Sequence, residues 1–291
     1  YAFPKASLAI NLTRFGFWKD NFISQFKPRI AYGETAGPVT FGSIYTPLVG
    51  TNIGGFLGSA VSATYGNELL RPETAKELEF GVDLGFFKNR LTFEGSYYIK
   101  NTANNIQTLN LSPSTGVTSV PSNLAELQNK GIELTLSGLV IDKPNFKWNS
   151  RLMYWKNTVI VSKLGIPSYT IGGFGVSYGT FLIKEGEKLG TIVGTPQISP
   201  GVYTVWGNSQ PDFNASFSNS FTFFKNFDFS FLFDWKKGGY NSNLSNLNTD
   251  EGGTTKGWFE DENGDGIPNG RQRNPAPYNN AGRFVEDASY I

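Results

Sequence analysis

The chain has 291 residues, of which 25 are basic and 24 acidic, for a net charge of +1. That balance gives no nucleic-acid footprint, and the absence of Cys and His removes disulfides, thiolate nucleophiles, zinc–thiolate sites and the usual catalytic triads. Phe (25), Tyr (13) and Gly (34) are abundant while charged residues make up 17%, a composition that suits sheets better than helices.

Period-two alternation runs through the chain, and helical periodicity is rare. The first element spans Ala6 to Leu12, with Leu8, Ile10 and Leu12 against Ser7, Ala9 and Asn11. The second spans roughly Ile23 to Tyr32, where Phe26, Ile30 and Tyr32 oppose Lys27, Arg29 and Ala31; Pro28 inside it removes a ladder donor. A long hairpin follows. Leu78, Phe80, Val82, Leu84 and Phe86 alternate with Glu77, Glu79, Gly81, Asp83 and Gly85. After a two-residue Lys88-Asn89 turn, Leu91, Phe93, Tyr97 and Ile99 continue the apolar face. Gly131 to Leu139 and Phe146 to Tyr154 read as further strands. A second hairpin joins Phe213–Phe223 to NFDFSFLFDW (226–235) through a Lys225-Asn226 turn. In that last stretch Phe227, Phe229, Phe231, Phe233 and Trp235 share one face, and Asp228, Ser230 and Asp234 share the other. About eight to ten strands result. The closing VEDASYI (285–291) reads as a strand just entering, so the sequence is expected to be a piece of something longer.

The N-terminal residues resemble no signal peptide, and no run of about 18 apolar residues forms a membrane helix. The long strands nonetheless reach the roughly 9–11 residues that a tilted strand needs to cross a bilayer. Connections at one end are short. At the other, segments 33–72, 157–210 and 238–283 are long and polar. That asymmetry describes an outer-membrane barrel with an apolar exterior, a wet lumen and aromatic girdles. The fold expected is therefore all-β, an antiparallel transmembrane β-barrel. A soluble carbohydrate-binding β-sandwich and a structural or secretion-associated outer-membrane barrel without import remain as alternatives. The sandwich would bury the Phe rows between stacked sheets.

Particular strings narrow the reading. NELLRPETAKELEFG (67–81) closely resembles a stretch of SusC/RagA-type TonB-linked outer-membrane transporters that leads into a barrel strand. QNKGIEL (128–134), FPKASLA (3–9), EKLGTIVG (187–194) and Gly238-Gly239 resemble further family strings in the same order. The resemblance implies a section of a barrel of about 22 strands, from its C-terminal half without the last strands. It implies an importer of glycans, oligosaccharides or peptides in a Gram-negative outer membrane. The partners implied are a SusD-like surface lipoprotein, the TonB complex reached through an upstream region, and outer-membrane lipid. A plug domain and TonB box would lie outside this sequence.

Candidate chemistry is sparse, and no enzyme is expected. Asp261, Asn263, Asp265 and the Ile267 carbonyl fall at calcium-loop positions, with Gly266 for the sharp turn. Gln272 replaces the bidentate Glu, so a full EF-hand is not expected and calcium is only a candidate ligand. An Asn/Asp/Gly turn accounts for the same string without any metal. Glu77 and Glu79 lie about 7 Å apart along one strand, a spacing that hydrated lumen walls also show. Trp206, Tyr240, Trp258, Phe259 and Tyr278 sit in polar loops, where aromatic faces stack on sugars or peptides or anchor loops on each other.

Overall fold

The computed structural model describes residues 2–19, 22–261, 264–271 and 281–291. In chain order the strands are β1 (Lys5–Ala9), β2 (Ile23–Gly37), β3 (Leu48–Ile53), β4 (Phe56–Val61), β5 (Glu73–Phe86), β6 (Leu91–Asn110), β7 (Ser119–Lys143), β8 (Phe146–Leu164), β9 (Tyr169–Ile171), β10 (Thr180–Ile183), β11 (Thr191–Ser199), β12 (Val202–Asn208), β13 (Pro211–Phe223), β14 (Phe227–Gly238), β15 (Tyr240–Ser242) and β16 (Val285–Asp287). Two short helices, α1 (Leu244–Glu251) and α2 (Lys256–Phe259), lie between β15 and β16.

Eight strands form one open antiparallel sheet in the order β1-β2-β5-β6-β7-β8-β13-β14. Register sorts the side chains. Phe26, Leu84, Phe93, Leu136, Leu152, Phe217 and Phe233 are successive cross-strand partners, making an unbroken apolar row over seven strands. One residue along, Lys27, Asp83, Glu94, Thr135, Met153, Ser216 and Asp234 make the matching row on the other face. A one-residue slip would exchange the two rows, so alternation fixes which face meets which medium. The Phe rows are not buried between sheets: Phe227 is 67% exposed and Phe229 56%. This excludes the sandwich and leaves a section of barrel wall. Asn219 interrupts the apolar face; Trp148 Nε1 donates to its Oδ1 at 2.9 Å, while its Nδ2 is buried without a hydrogen-bond partner among the described residues.

The turns at one rim are short. Between β5 and β6, Phe87, Lys88 and Asn89 all adopt positive φ (53°, 56° and 62°), and Arg90 N donates to Phe87 O at 3.3 Å. Lys88-Asn89 is thus central, as its sequence suggests. The second FFKN string behaves differently. Its left-handed residues are Phe224 (50°) and Lys225 (68°), and Asn226 N closes the turn on Phe223 O at 3.2 Å. The expected Lys225-Asn226 centre is displaced by one residue. The cause is pairing: Phe223 lies opposite Phe227 in the ladder, which leaves only the three residues between them to reverse the chain. A left-handed backbone costs a residue other than Gly roughly 1 kcal/mol or more. Pro28 is tolerated because β1 stops beside it: Ile10 N donates to its carbonyl at 3.1 Å, and the ladder ends there.

At the opposite rim β6, β7 and β8 run to 20, 25 and 19 residues, longer than a bilayer crossing needs. The connections beyond them carry the described core. Val161, Ile183, Ile192, Val193, Leu247, Ala281 and Phe284 are all buried there. Val161 lies near the end of β8; the others belong to a cap formed by the sheet β12-β11-β10-β9, the pair β15-β16, the helices and the helical turn 281–284 before β16.

Candidate functional site

Two regions bear on function, the polar face of the wall and the cap above it. On the wall, β2 places Arg29 opposite Gly81 of β5. A Cβ at Gly81 would lie 2.6 Å from the Arg29 guanidinium, so glycine leaves the side chain its seat. From that seat Arg29 Nη1 reaches Glu79 Oε1 at 2.9 Å and Nε reaches Asp83 Oδ1 at 3.1 Å. Nη2 donates to Ser96 Oγ at 2.8 Å, and Ser96 donates on to Glu79 at 3.0 Å. Lys27 Nζ takes the other Asp83 oxygen at 3.2 Å. Glu79 and Asp83 therefore act here as counter-ions. Next to them a hollow of about 280 Å³ is lined by Glu77, Tyr98, Lys100, Asn129 and Glu133, among others. Tyr98 lies over Gly131, its direct partner on β7, where a Cβ would meet the ring at 2.3 Å.

The same string that leads into β5 holds the loop above it. Asn67 Nδ2 donates to Pro121 O at 2.8 Å, and its Oδ1 accepts from Leu69 N at 3.0 Å. Glu73 Oε1 accepts from Asn105 Nδ2 at 2.9 Å and Ile106 N at 2.6 Å. Asn123 returns the tie, accepting from Arg71 N at 2.8 Å and donating to Arg71 O at 2.9 Å. These polar residues pin a loop to two strands.

In the cap, three of the five loop aromatics are seated on glycines. A Cβ at Gly282 would lie 2.5 Å from the Trp206 ring, one at Gly207 2.4 Å from Tyr240, and one at Gly270 1.9 Å from Trp258. Trp206 Nε1 also donates to Thr195 O at 3.1 Å. These rings join distant loops. Phe259 differs, at 67% exposed. Tyr278 lies outside the described residues, as do Asn263 and Gln272. Of the candidate calcium loop, Asp261 accepts from Gly264 N (2.8 Å), Asp265 N (3.2 Å) and Gly266 N (2.7 Å), and Asp265 Oδ1 accepts from Ile267 N at 2.8 Å. The Asp261 carboxylate holds a turn of backbone amides. Among the described residues no group of three or more acidic side chains is poised around a metal position.

Sequence reasoning did not single out Arg29 or Gln210 as organising residues. Gln210 accepts from Val159 N at 2.8 Å and donates to Val159 O at 2.9 Å and to Leu189 O. Its amide thus substitutes for a neighbouring strand and clamps β8 to the cap. The signal for Arg29 was its place opposite Gly81 once register is known. Gln210 left no signal, because its partners are backbone.

The TonB dependent receptor-like, beta-barrel family model matches residues 2–259. TonB-dependent receptor P3 of Formosa agariphila is 25% identical, over 99% of this chain and 34% of its own length. TonB-dependent receptor P39 of the same organism is 26% identical, over 72% and 20%. The solved RagAB peptide transporter superposes with a TM-score of 0.78 at 18% identity, over 99% of this chain and 35% of that one. The RagAB peptide importer in its closed-closed state gives 0.75 at 20% identity, again over 99% and 35%. The chain thus spans about a third or less of the length of these relatives. It belongs to the TonB-dependent receptor-like β-barrel family, of whose barrel it builds eight neighbouring wall strands and part of the loop-side cap.

Proposed function

We propose that this chain is wall and cap of a TonB-dependent importer in a Gram-negative outer membrane. Its cargo is glycans, oligosaccharides or peptides, taken up with a SusD-like surface lipoprotein over the loop side. One observation carries the reading: an apolar row and a polar row run side by side across seven strands, with short turns at one rim and long loops at the other. Family membership and the likeness to RagAB support it. The test uses the full-length protein in its native membrane. Uptake of labelled oligosaccharides and peptides is measured with and without TonB, and the purified receptor is checked for a bound lipoprotein. TonB-dependent uptake is expected for one of the two cargo classes. Uptake of neither cargo class above that of cells lacking the receptor would support a barrel without import instead.

A calcium role for Asp261, Asn263, Asp265 and Ile267 belongs to the same proposal. Asp261 already gathers the amides of the turn, as the first position of such a loop does when the ion is bound. Calcium titration of the full-length receptor, followed by protease protection of the loop around 261–267, is expected to show protection that Asp261→Ala abolishes. Identical cleavage with and without calcium would remove it.

A further inference from the structure

We propose that the short-turn rim is a docking surface for anionic phospholipid of the periplasmic leaflet. Backbone strain is the first observation. A turn selected only to reverse the chain would place Gly or Asn at positive φ. Here Asn89 is the one such residue; Phe87, Lys88, Phe224 and Lys225 occupy the other positive-φ positions of the two turns. Strain kept at two turns of different length points to what the side chains do.

What they do follows from their level in the wall. Each turn directly follows the last apolar residues of its own strands, Phe86 and Leu91 at the first and Phe223 and Phe227 at the second, with Phe146 beside Phe223. Phe87 is 54% exposed and Phe224 69%, though each adjoins the wall. Phe87 packs edge-on against Phe22, with ring centroids 4.8 Å apart. Exposed aromatic rings at that depth sit at the boundary between acyl chains and headgroups. Beside each ring stands a cation, Lys88 and Lys225.

The third short turn, between β7 and β8, adds Lys143 and Lys147. Charge at these three turns is one-sided. Among the described residues of these three turns, Lys88, Arg90, Lys143, Lys147 and Lys225 stand with Asp142 and Asp228 as the acidic residues. Asp142 is taken by Lys147 at 3.3 Å, and Asp228 accepts from Thr222 Oγ1 at 2.7 Å. Lys88, Lys143 and Lys225 have no ion-pair partner among the described residues. Aromatic ring above and lysine below, repeated turn after turn along the rim, match a phospholipid layer, which is continuous. A soluble protein would need one contoured patch. The cations select phosphate that is not neutralised by choline or ethanolamine, hence a phosphatidylglycerol-like headgroup.

The proposal rests on the barrel reading and not on the cargo. The test takes the purified full-length receptor in mixed micelles with equal phosphatidylglycerol and phosphatidylcholine, and counts retained lipid by native mass spectrometry. Wild type is expected to retain phosphatidylglycerol preferentially, less so at high salt. Lys88→Gln, Lys143→Gln and Lys225→Gln together should erase the preference, at about fivefold per lysine. The same three positions changed to Arg should keep it, while the heat-shifted electrophoretic band verifies that both variants hold their barrel. Equal retention of the two lipids by wild type, or an undiminished preference in the Gln variant, overturns the proposal. Equal retention would assign the rim to a soluble periplasmic protein.

Discussion

Phe229 on β14 and Ile192 on β11 are both large apolar residues on strands, yet 56% of the first is exposed and 1% of the second. The wall has no interior of its own. Its order comes from the backbone ladder and from the difference between the media on its two faces. The cap, standing clear of the apolar band, needs a core like any water-soluble unit. It builds one from Val161, Ile192, Val193 and Phe284, and from rings laid on glycines. One chain is therefore held together in two ways, and exposure of a Phe is a defect in one region and a requirement in the other.

Substitutions can pull the two regions apart. The largest effect belongs to the cap core. Ile192→Asp leaves a buried charge without a partner and is expected to cost about 3–5 kcal/mol. Loop-side segments should become protease-sensitive while the heat-shifted barrel band persists. Loss of that band as well would show that cap and wall fold as one unit. Next comes parity in the wall. Phe231→Lys, deeper in the apolar band, should cost roughly 2–4 kcal/mol in denaturant titrations in bilayers, and Ser230→Lys, one residue along, less than about 0.5 kcal/mol. Equal costs would mean that the two faces are not in different media. Smaller again is the lumenal network. A double-mutant cycle of Arg29→Met with Asp83→Asn is expected to show coupling of about 1 kcal/mol, since Arg29 is 34% and Asp83 20% exposed. Zero coupling would make the pair incidental.

The smallest effect is a titration in the cap. Asp287 Oδ1 accepts from Ser289 Oγ at 2.5 Å and Ser289 N at 2.8 Å, and these bonds, the hydroxyl first, hold its carboxyl below the usual range. A carboxyl lowered on folding contributes above its unfolded value and loses that contribution as pH falls through its folded one. Acidification should thus loosen the β15–β16 pair only below the ordinary carboxylate range. Ser289→Ala should move the Asp287 titration upward in carbon-detected NMR; an unmoved titration would remove the hydroxyl as its cause.

Much of the wall was legible because its rule is local. A period of two over ten residues, as in Leu78–Phe86 or Phe227–Trp235, needs no knowledge of partners. Even there the second FFKN turn was misplaced by one residue, because the ladder and not the turn's composition decided its centre. The cap was illegible for the opposite reason. β9, β10, β15 and β16 are three or four residues long, too short for any periodicity. Their packing joins residues far apart in sequence, such as Trp206 with Gly282. For Trp206, Tyr240 and Trp258 composition offered stacking on a ligand or on neighbouring loops, and the geometry places all three on glycines. Phe259 keeps the exposure a contact residue needs.

The glycines opposite Arg29 and Tyr98 have a consequence for assembly. Alternation forbids a shift of one residue between strands but is blind to a shift of two, which returns every Phe to the oily side. A sheet this repetitive could zip up in several such frames. In the native frame Arg29 finds its empty place at Gly81 and Tyr98 at Gly131; two residues away in either direction, a Cβ would stand in the way. Each glycine works as a keyhole for one frame, so filling either should leave a sheet that still inserts but is knitted askew.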